Sequence, residues 1–361
     1  MKSIRDVYKI GKGPSSSHTM GPERAAKLFL KRYPDAERYR VVLYASLSKT
    51  GRGHGTDRVL YEVLGKDRTE VIFSEDSPAD LPHPNTLDFF AYQGEEQIGT
   101  MRVQSIGGGD IVVDGEDTAA SEEIYPENSF AEIEQFCRWR YISLSEYVEL
   151  NEGPEIWDFL AEVWAAMKKS IDDGLNAEGI LPGGLQVERK AKRLYAQEKP
   201  DELPQIRELR MVCSYAFAIA EQNADNGTIV TAPTCGSAGV LPSVLLYMQK
   251  RHNIPDRKVL EALAVAGLFG SLVKRNASIS GAECGCQAEI GTACSMAAAA
   301  MSQLMGLSIQ EIEYSAEIAM EHHLGLTCDP ICGLVQIPCI ERNAVAAKRA
   351  IDSANLAHML V

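Results

Sequence analysis

From about Tyr141 onward the chain repeats one pattern: a run of a dozen or more residues with apolar side chains at helical spacing, closed by a short turn marked by Gly or Pro. Such runs cover residues 155–173, 203–221, 237–250, 256–274, 290–305, 309–321 and 342–353. Apolar residues recurring every three to four positions give each helix one face for a core, and short turns make consecutive helices neighbours. Residues 141–361 are therefore expected to form a compact all-helical domain.

The first part of the chain reads differently. Pro22 suits a first helical turn, so a helix is predicted through residues 23–32. Residues 39–46 (YRVVLYAS) alternate polar and apolar side chains as a half-buried strand does. A second helix is predicted over 56–64, a short strand over 70–74, and a hairpin from 97–103 and 110–113 around Gly107-Gly108-Gly109. Residues 1–140 thus read as a small mixed α/β domain, and the whole chain as α+β. The acidic stretch 114–128, poor in apolar residues, reads as a surface loop or the approach to a linker.

With 361 residues the chain can bury two cores. Its 36 basic and 50 acidic residues leave a net charge of −14, which opposes binding to nucleic acid or to an anionic membrane surface. A small anionic substrate remains compatible with it, because a local site can be positive. Residues 1–6 lack the apolar core of a secretory signal, and the Ala-rich run 293–301 is too short to span a bilayer. A cytoplasmic location is expected.

In that compartment nine cysteines are not expected to form disulfides. Cys137, Cys213 and Cys235 are scattered, whereas Cys284, Cys286, Cys294, Cys328, Cys332 and Cys339 crowd into the last quarter of the chain. Cys294, within Thr-Ala-Cys-Ser-Met-Ala-Ala, reads as a small buried hydrophobe. Cys286, Cys328 and Cys339 sit in loop-like contexts beside Gly, Asp-Pro and Pro. Three thiolates with an open fourth position would make a catalytic metal site or a cluster with one unsaturated iron. Their spacing lacks the short paired-cysteine pattern of structural zinc sites, and by itself it leaves a metal centre and plain buried thiols both open. Four loops of small and polar residues accompany them, each at a predicted helix end: 11–22 (GKGPSSSHTMGP), 49–57 (KTGRGHGTD), 231–239 (TAPTCGSAG) and 276–287 (NASISGAECGCQ). Gly and Ser allow tight backbone paths, and amides at helix N-termini favour anions.

The runs NASISGAECGCQAEIGTACSM at 276–296 and HLGLTCDPICGLVQIPCIERN at 323–343 closely resemble the iron–sulfur-dependent L-serine dehydratase family, as do GPSSSHTMGP at 13–22 and TGRGHGTD at 50–57. The likeness spans nearly the whole chain. It implies a β-type domain followed by a cluster-binding α-type catalytic domain, in a single-chain form. It further implies that Cys286, Cys328 and Cys339 ligate a [4Fe–4S] cluster, that the reaction is the deamination of L-serine to pyruvate and ammonia, and that the protein is a homodimer. Cys284, Cys332 and Cys235 stand where many relatives carry a small apolar residue, Gly or Asn, and are read as non-ligands. The chain ends His358-Met359-Leu360-Val361, without the terminal cysteine that some relatives direct at the open iron.

Eliminating water from serine requires activating a poor leaving group and removing a weakly acidic α-proton. An open cluster iron meets the first need as a Lewis acid and a general base meets the second. His54 is the expected base, with His18 as second choice or positioning group; alternatively a deprotonated group near the cluster serves and both histidines bind substrate. Ser15, Ser16, Ser17 and Thr19 offer hydroxyls and amides to the substrate carboxylate, Arg342 a guanidinium fork, and Asn276, Ser278 and Asn343 suit the ammonium or hydroxyl. Histidines on one domain and cysteines on the other would put the active site at the domain interface. Competing readings are a hydro-lyase or desulfidase for threonine or cysteine, and a serine-sensing module. None of Lys49, Lys190 and Lys274 has the context of a pyridoxal phosphate site.

Overall fold

The computed structural model describes residues 1–76, 78, 81–116 and 123–361. In chain order its elements begin with β1 (Ile10–Lys12), α1 (Gly21–Arg32), β2 (Arg38–Leu43), α2 (Ala45–Thr50), α3 (Thr56–Leu64), β3 (Thr69–Phe73), β4 (Thr86–Gln93), β5 (Glu96–Gly107) and β6 (Asp110–Val113). They continue with α4 (Phe130–Arg140), α5 (Leu144–Glu152), α6 (Ile156–Asn176), α7 (Ala191–Ala196), α8 (Pro204–Ala224), β7 (Thr228–Val230) and α9 (Val240–His252). Last come α10 (Asp256–Asn276), α11 (Gly281–Cys284), α12 (Cys286–Leu304), α13 (Ile309–Glu321) and α14 (Cys339–Leu360). The protein is mixed α+β, with its main sheet in the N-terminal part and mostly helices after it. Among the described residues no helix is long and apolar enough to cross a membrane.

The chain divides into two units. The smaller comprises Lys12–Ala120 and Cys332–Leu334. Its sheet has the order β3-β2-β4-β5-β6, with β2 parallel to β3 and antiparallel to β4. Alternation along β2 buries Tyr39, Val41 and Leu43, and their face meets Phe29 and Ala25 of α1 and Leu60 and Leu64 of α3. Burying each large apolar side chain is worth roughly 1.5–3 kcal/mol over leaving it in water. The strand expected over 39–46 stops at Leu43, because Ala45 takes a φ of 42° and turns the backbone into α2. Strand β4 was hidden in the sequence: TLDFFAYQ is buried at most positions, as a strand flanked on both sides can be, and so lacks clean alternation. Of the acidic stretch 114–128, residues 117–122 lie outside the described residues.

The larger unit comprises Met1–Gly11, Ser121–Ile331 and Val335–Val361. The chain's first residues are built into it: the Met1 ammonium donates to Tyr125 O at 2.6 Å, the Tyr8 hydroxyl donates to Leu263 O at 2.8 Å, and β1 pairs with β7. Helix α12 lies at the centre and packs against α9, α10, α13 and α14. Residues 290–302 of it are buried without interruption, which explains why the run TACSMAAAAMS shows so little amphipathic contrast. Its alanines let neighbouring helices approach closely, and the Cys294 thiol donates to Ala346 O of α14 at 3.2 Å. Helices α4 and α5 each begin with a reciprocal cap, Ser129 with Glu132 and Ser143 with Glu146.

Candidate active site

Two groups of polar side chains stand out, one in each unit. In the smaller unit the GPSSSHTMGP segment forms a single wide helical turn over Ser16–Met20 that runs directly into α1. Ser15 caps it, its Oγ accepting from the His18 amide at 3.1 Å, and its own N–H donates to Thr19 Oγ1 at 3.2 Å. The His18 ring is held from both sides, with Nδ1 at 2.9 Å from Ser17 Oγ and Nε2 at 3.0 Å from Ser46 Oγ. His54 follows α2, and its Nδ1 lies 2.9 Å from Thr50 O. A carbonyl only accepts, so Nδ1 carries the proton and the lone pair of the neutral ring sits on Nε2. The Thr19 hydroxyl donates to His54 O and the Thr56 hydroxyl to His18 O, which ties the two histidine backbones together. Their ring centroids are 4.8 Å apart.

Burial keeps both rings neutral. His18 is lowered to about 3, first by burial and then by the neighbouring His54, against a smaller opposing effect of its Ser46 hydrogen bond. His54 is lowered by burial, with the Thr50 hydrogen bond opposing. The pair therefore supplies a fixed, uncharged imidazole with an available Nε2. Ser46 and Thr50, which orient the rings, were not singled out in the sequence; both lie in α2, where Ser46 was expected to end a strand and Thr50 to fall in the loop 49–57.

In the larger unit Cys286 opens α12 and Cys339 opens α14, while Cys328 lies in the loop between α13 and α14. Thiolates at helix N-termini are favoured by the helix dipole and the free amides. The Cys286 and Cys328 thiols act directly on each other's ionisation, and Cys339 is within electrostatic reach of both. Cys286 is lowered to about 7, chiefly by the Cys328 thiol, with burial opposing and Arg342 assisting. Cys328 is raised, because its partner takes the negative charge first. Cys339 is pushed up to about 12 by burial and then by the charge of Glu289.

All nine cysteines are free thiols; Cys284 and Cys332 are exposed, and Cys235 is buried. Among the described residues no three His, Cys, Asp or Glu side chains close around one point as ligands of a single ion do. A four-iron cluster makes a different demand, since each iron takes its own thiolate. Three neighbouring thiols, two of them at helix N-termini and one already inclined to ionise, suit such a group by their chemistry.

Of the remaining residues singled out in the sequence, Ser15, Ser16, Ser17 and Thr19 belong to the histidine turn and Arg342 and Asn343 adjoin the thiols, whereas Asn276 and Ser278 bond to other residues. Arg342 donates to Thr327 O at 2.8 Å and its charge bears on Cys286. Asn343 is buried and fully engaged: its amide donates to Gly236 O and Cys339 O, and its Oδ1 accepts from the Gly239 amide at 2.9 Å. Asn276 donates to Asn128 O and Leu272 O, and Ser278 donates to Glu283 at 2.7 Å. Sequence reading missed Glu289, whose carboxylate accepts from the Thr234 hydroxyl and lies among the same thiols. Its position three residues after Cys286, one helical turn on, was the available signal.

Serine dehydratase alpha chain is the family matched by residues 94–359, and serine dehydratase beta chain the family matched by residues 3–72. The chain is 40% identical over 410 residues to the L-serine dehydratase of Streptomyces coelicolor, covering 98% of this chain and 90% of that protein. It is likewise 40% identical over 414 residues to L-serine dehydratase 1 of Escherichia coli (99% and 90% covered) and 36% identical over 411 residues to that of Helicobacter pylori (98% and 90%). Matches of this extent show that the chain belongs to the serine dehydratase family, in the form that carries the beta-chain and alpha-chain portions on one polypeptide.

Proposed function

We propose that this protein is an L-serine ammonia-lyase that depends on a [4Fe–4S] cluster held by Cys286, Cys328 and Cys339. The observation that carries the reading is the gathering of Cys286 and Cys339, at the N-terminal ends of α12 and α14, with Cys328 of the loop between α13 and α14, in a chain similar over nearly its full length to L-serine dehydratases. When bound, the cluster would supply a Lewis acid for the substrate hydroxyl through an iron that no protein thiol ligates.

The chain's own residues supply the rest. His54 Nε2 takes the α-proton of serine, and its readiness to do so rests on the neutral ring and on the Nδ1 hydrogen bond to Thr50. His18 keeps that ring in place and stays uncharged beside it. Loss of the α-proton and of hydroxide leaves 2-aminoacrylate, which tautomerises to an imine; water then hydrolyses the imine to pyruvate and ammonia. Arg342 pairs with the substrate carboxylate, and the hydroxyls and amides of Ser15, Ser16, Ser17 and Thr19 form an anion-tolerant turn beside His18. Asn343 and Ser278 hold the loops on which the thiols and their neighbours sit.

The decisive experiment is anaerobic purification, iron and sulfide analysis, and a pyruvate assay with L-serine. About four irons and four sulfides per chain with pyruvate formation are expected, and Cys328→Ala is expected to lose both. Retained turnover in that variant refutes the cluster mechanism, and faster release of 2-oxobutanoate from threonine, or of sulfide from cysteine, would reassign the substrate. Serine binding without turnover would mark a sensor. The reading also carries a cytoplasmic homodimer, for which sedimentation of the purified protein tests the assembly.

A further inference from the structure

Glu289 is an acidic group that all three thiols of the proposed cluster site feel: its charge bears on Cys286, Cys328 and Cys339 alike. The residue is half-buried overall and its carboxyl is recessed, with burial pushing it above the usual carboxylate range. Two donors fix it, the Thr234 hydroxyl on Oε1 and the Gly236 amide. The backbone gives it room. A Cβ on Gly236 would come within 2.7 Å of Oε1, and one on Gly281 within 2.9 Å of Oε2 and 3.6 Å of Cys328 Sγ. Both loops, TAPTCGSAG and NASISGAECGCQ, thus place a bare glycine against the same carboxylate.

Among the described residues no lysine, arginine or histidine forms an ion pair with Glu289, although Arg342 favours its ionised form from a distance. Without a paired cation a recessed carboxyl is drawn towards its neutral form, and an arriving cation would restore its charge. Among the groups first considered for the substrate ammonium, Asn343 has every polar atom engaged and the Asn276 amide already donates to two carbonyls.

We propose that Glu289, through the oxygen that Thr234 leaves free, receives the α-ammonium of the amino-acid substrate and so selects α-amino acids over hydroxy acids. This rests on the lyase reading above. A charge-assisted hydrogen bond in a recess is worth about 1.5–3 kcal/mol, which corresponds to roughly ten- to a hundredfold in affinity. The side chain binds and orients substrate; the proposal asks no proton transfer of it.

The test compares wild type with Glu289→Gln, which keeps size and loses charge, and Glu289→Asp, which keeps charge. Three quantities are read on anaerobically prepared enzyme: KM and kcat for L-serine, competitive inhibition constants for L-alanine and 3-hydroxypropanoate, and iron and sulfide content. L-alanine carries the ammonium without the hydroxyl, and 3-hydroxypropanoate the reverse. Glu289→Gln is expected to raise the serine KM and the L-alanine constant together by about tenfold or more. The 3-hydroxypropanoate constant should change less than about threefold and the metal content not at all, with Glu289→Asp intermediate. Equal weakening of both inhibitors, unchanged L-alanine binding, or loss of iron and sulfide in Glu289→Gln would each overturn it. Failure of the wild type to form pyruvate from serine would sink the lyase reading instead, while L-alanine binding still reports on Glu289.

Discussion

His18 makes the stability of the smaller unit depend on acid in a way that can be worked out. Its ring titrates near 6.5 when the chain is unfolded and near about 3 when folded, because burial and the adjacent His54 disfavour the charged form. A depressed histidine means that the unfolded state binds the extra proton first, so stability is full well above 6.5 and is lost as pH falls below it. The loss continues until the folded ring itself protonates near 3. At pH 5 the unfolded ring is almost wholly protonated and the folded ring almost wholly neutral, which amounts to about 2 kcal/mol lost relative to neutral pH. Replacing the ring by glutamine removes that linkage, while acidic groups elsewhere titrate alike in both proteins. Hydrogen exchange of the β2 and β4 amides reports the opening of this unit separately from the helical one. Between pH 7 and pH 5 the wild type should lose about 2 kcal/mol more protection than His18→Gln, after correction for intrinsic exchange. Identical pH dependence in the two proteins would show that the ring is already charged or already exposed, and the argument for a neutral histidine pair would fall with it.

Other expectations follow from single contacts. His54→Gln should lower kcat by about a hundredfold or more while leaving iron and sulfide content unchanged, measured by pyruvate release and metal analysis. Gly285 precedes Cys286 with a φ of +79°, and a Cβ there would meet Leu326 O at 2.5 Å. Gly285→Ala should therefore cost roughly 1–2 kcal/mol in backbone strain alone, seen as a lower Tm, and should reduce the iron bound. Asn343→Leu abandons two carbonyls and an amide in the interior. It should destabilise the larger unit by about 3 kcal/mol or more, measured by chemical denaturation.

Much of the architecture was legible because periodicity is a local property. The helix at 56–64 and that at 309–321 run as expected, and 97–103 with 110–113 do form adjacent strands, β5 and β6. What escaped was written in other signals. Helices α4 and α5 announce themselves through Ser-x-x-Glu caps at Ser129 and Ser143 more than through apolar spacing. Strand β7 is only three residues long, and its existence depends on a partner, β1, more than two hundred residues earlier. A run that short carries no period of its own.

The same division separates site residues that sequence could nominate from those it could not. Cysteines and histidines in Gly- and Ser-rich loops advertise themselves by residue type, because few structural needs put such side chains there. The groups that give them their chemical state are ordinary: the carbonyl of Thr50, the hydroxyls of Ser46 and Thr234, the bare backbone of Gly236 and Gly281. A backbone carbonyl fixes which nitrogen of His54 holds the proton, and nothing in the sequence marks that carbonyl out. Glu289 shows the limit most clearly. One turn from Cys286 it would pass for a solvated helix residue, and only the folding of the Gly236 and Gly281 loops against its carboxyl makes it a recessed acid raised by burial. Residue type therefore nominates a site, while long-range hydrogen bonding and close backbone approach decide its protonation and charge, and those are the quantities on which the chemistry depends.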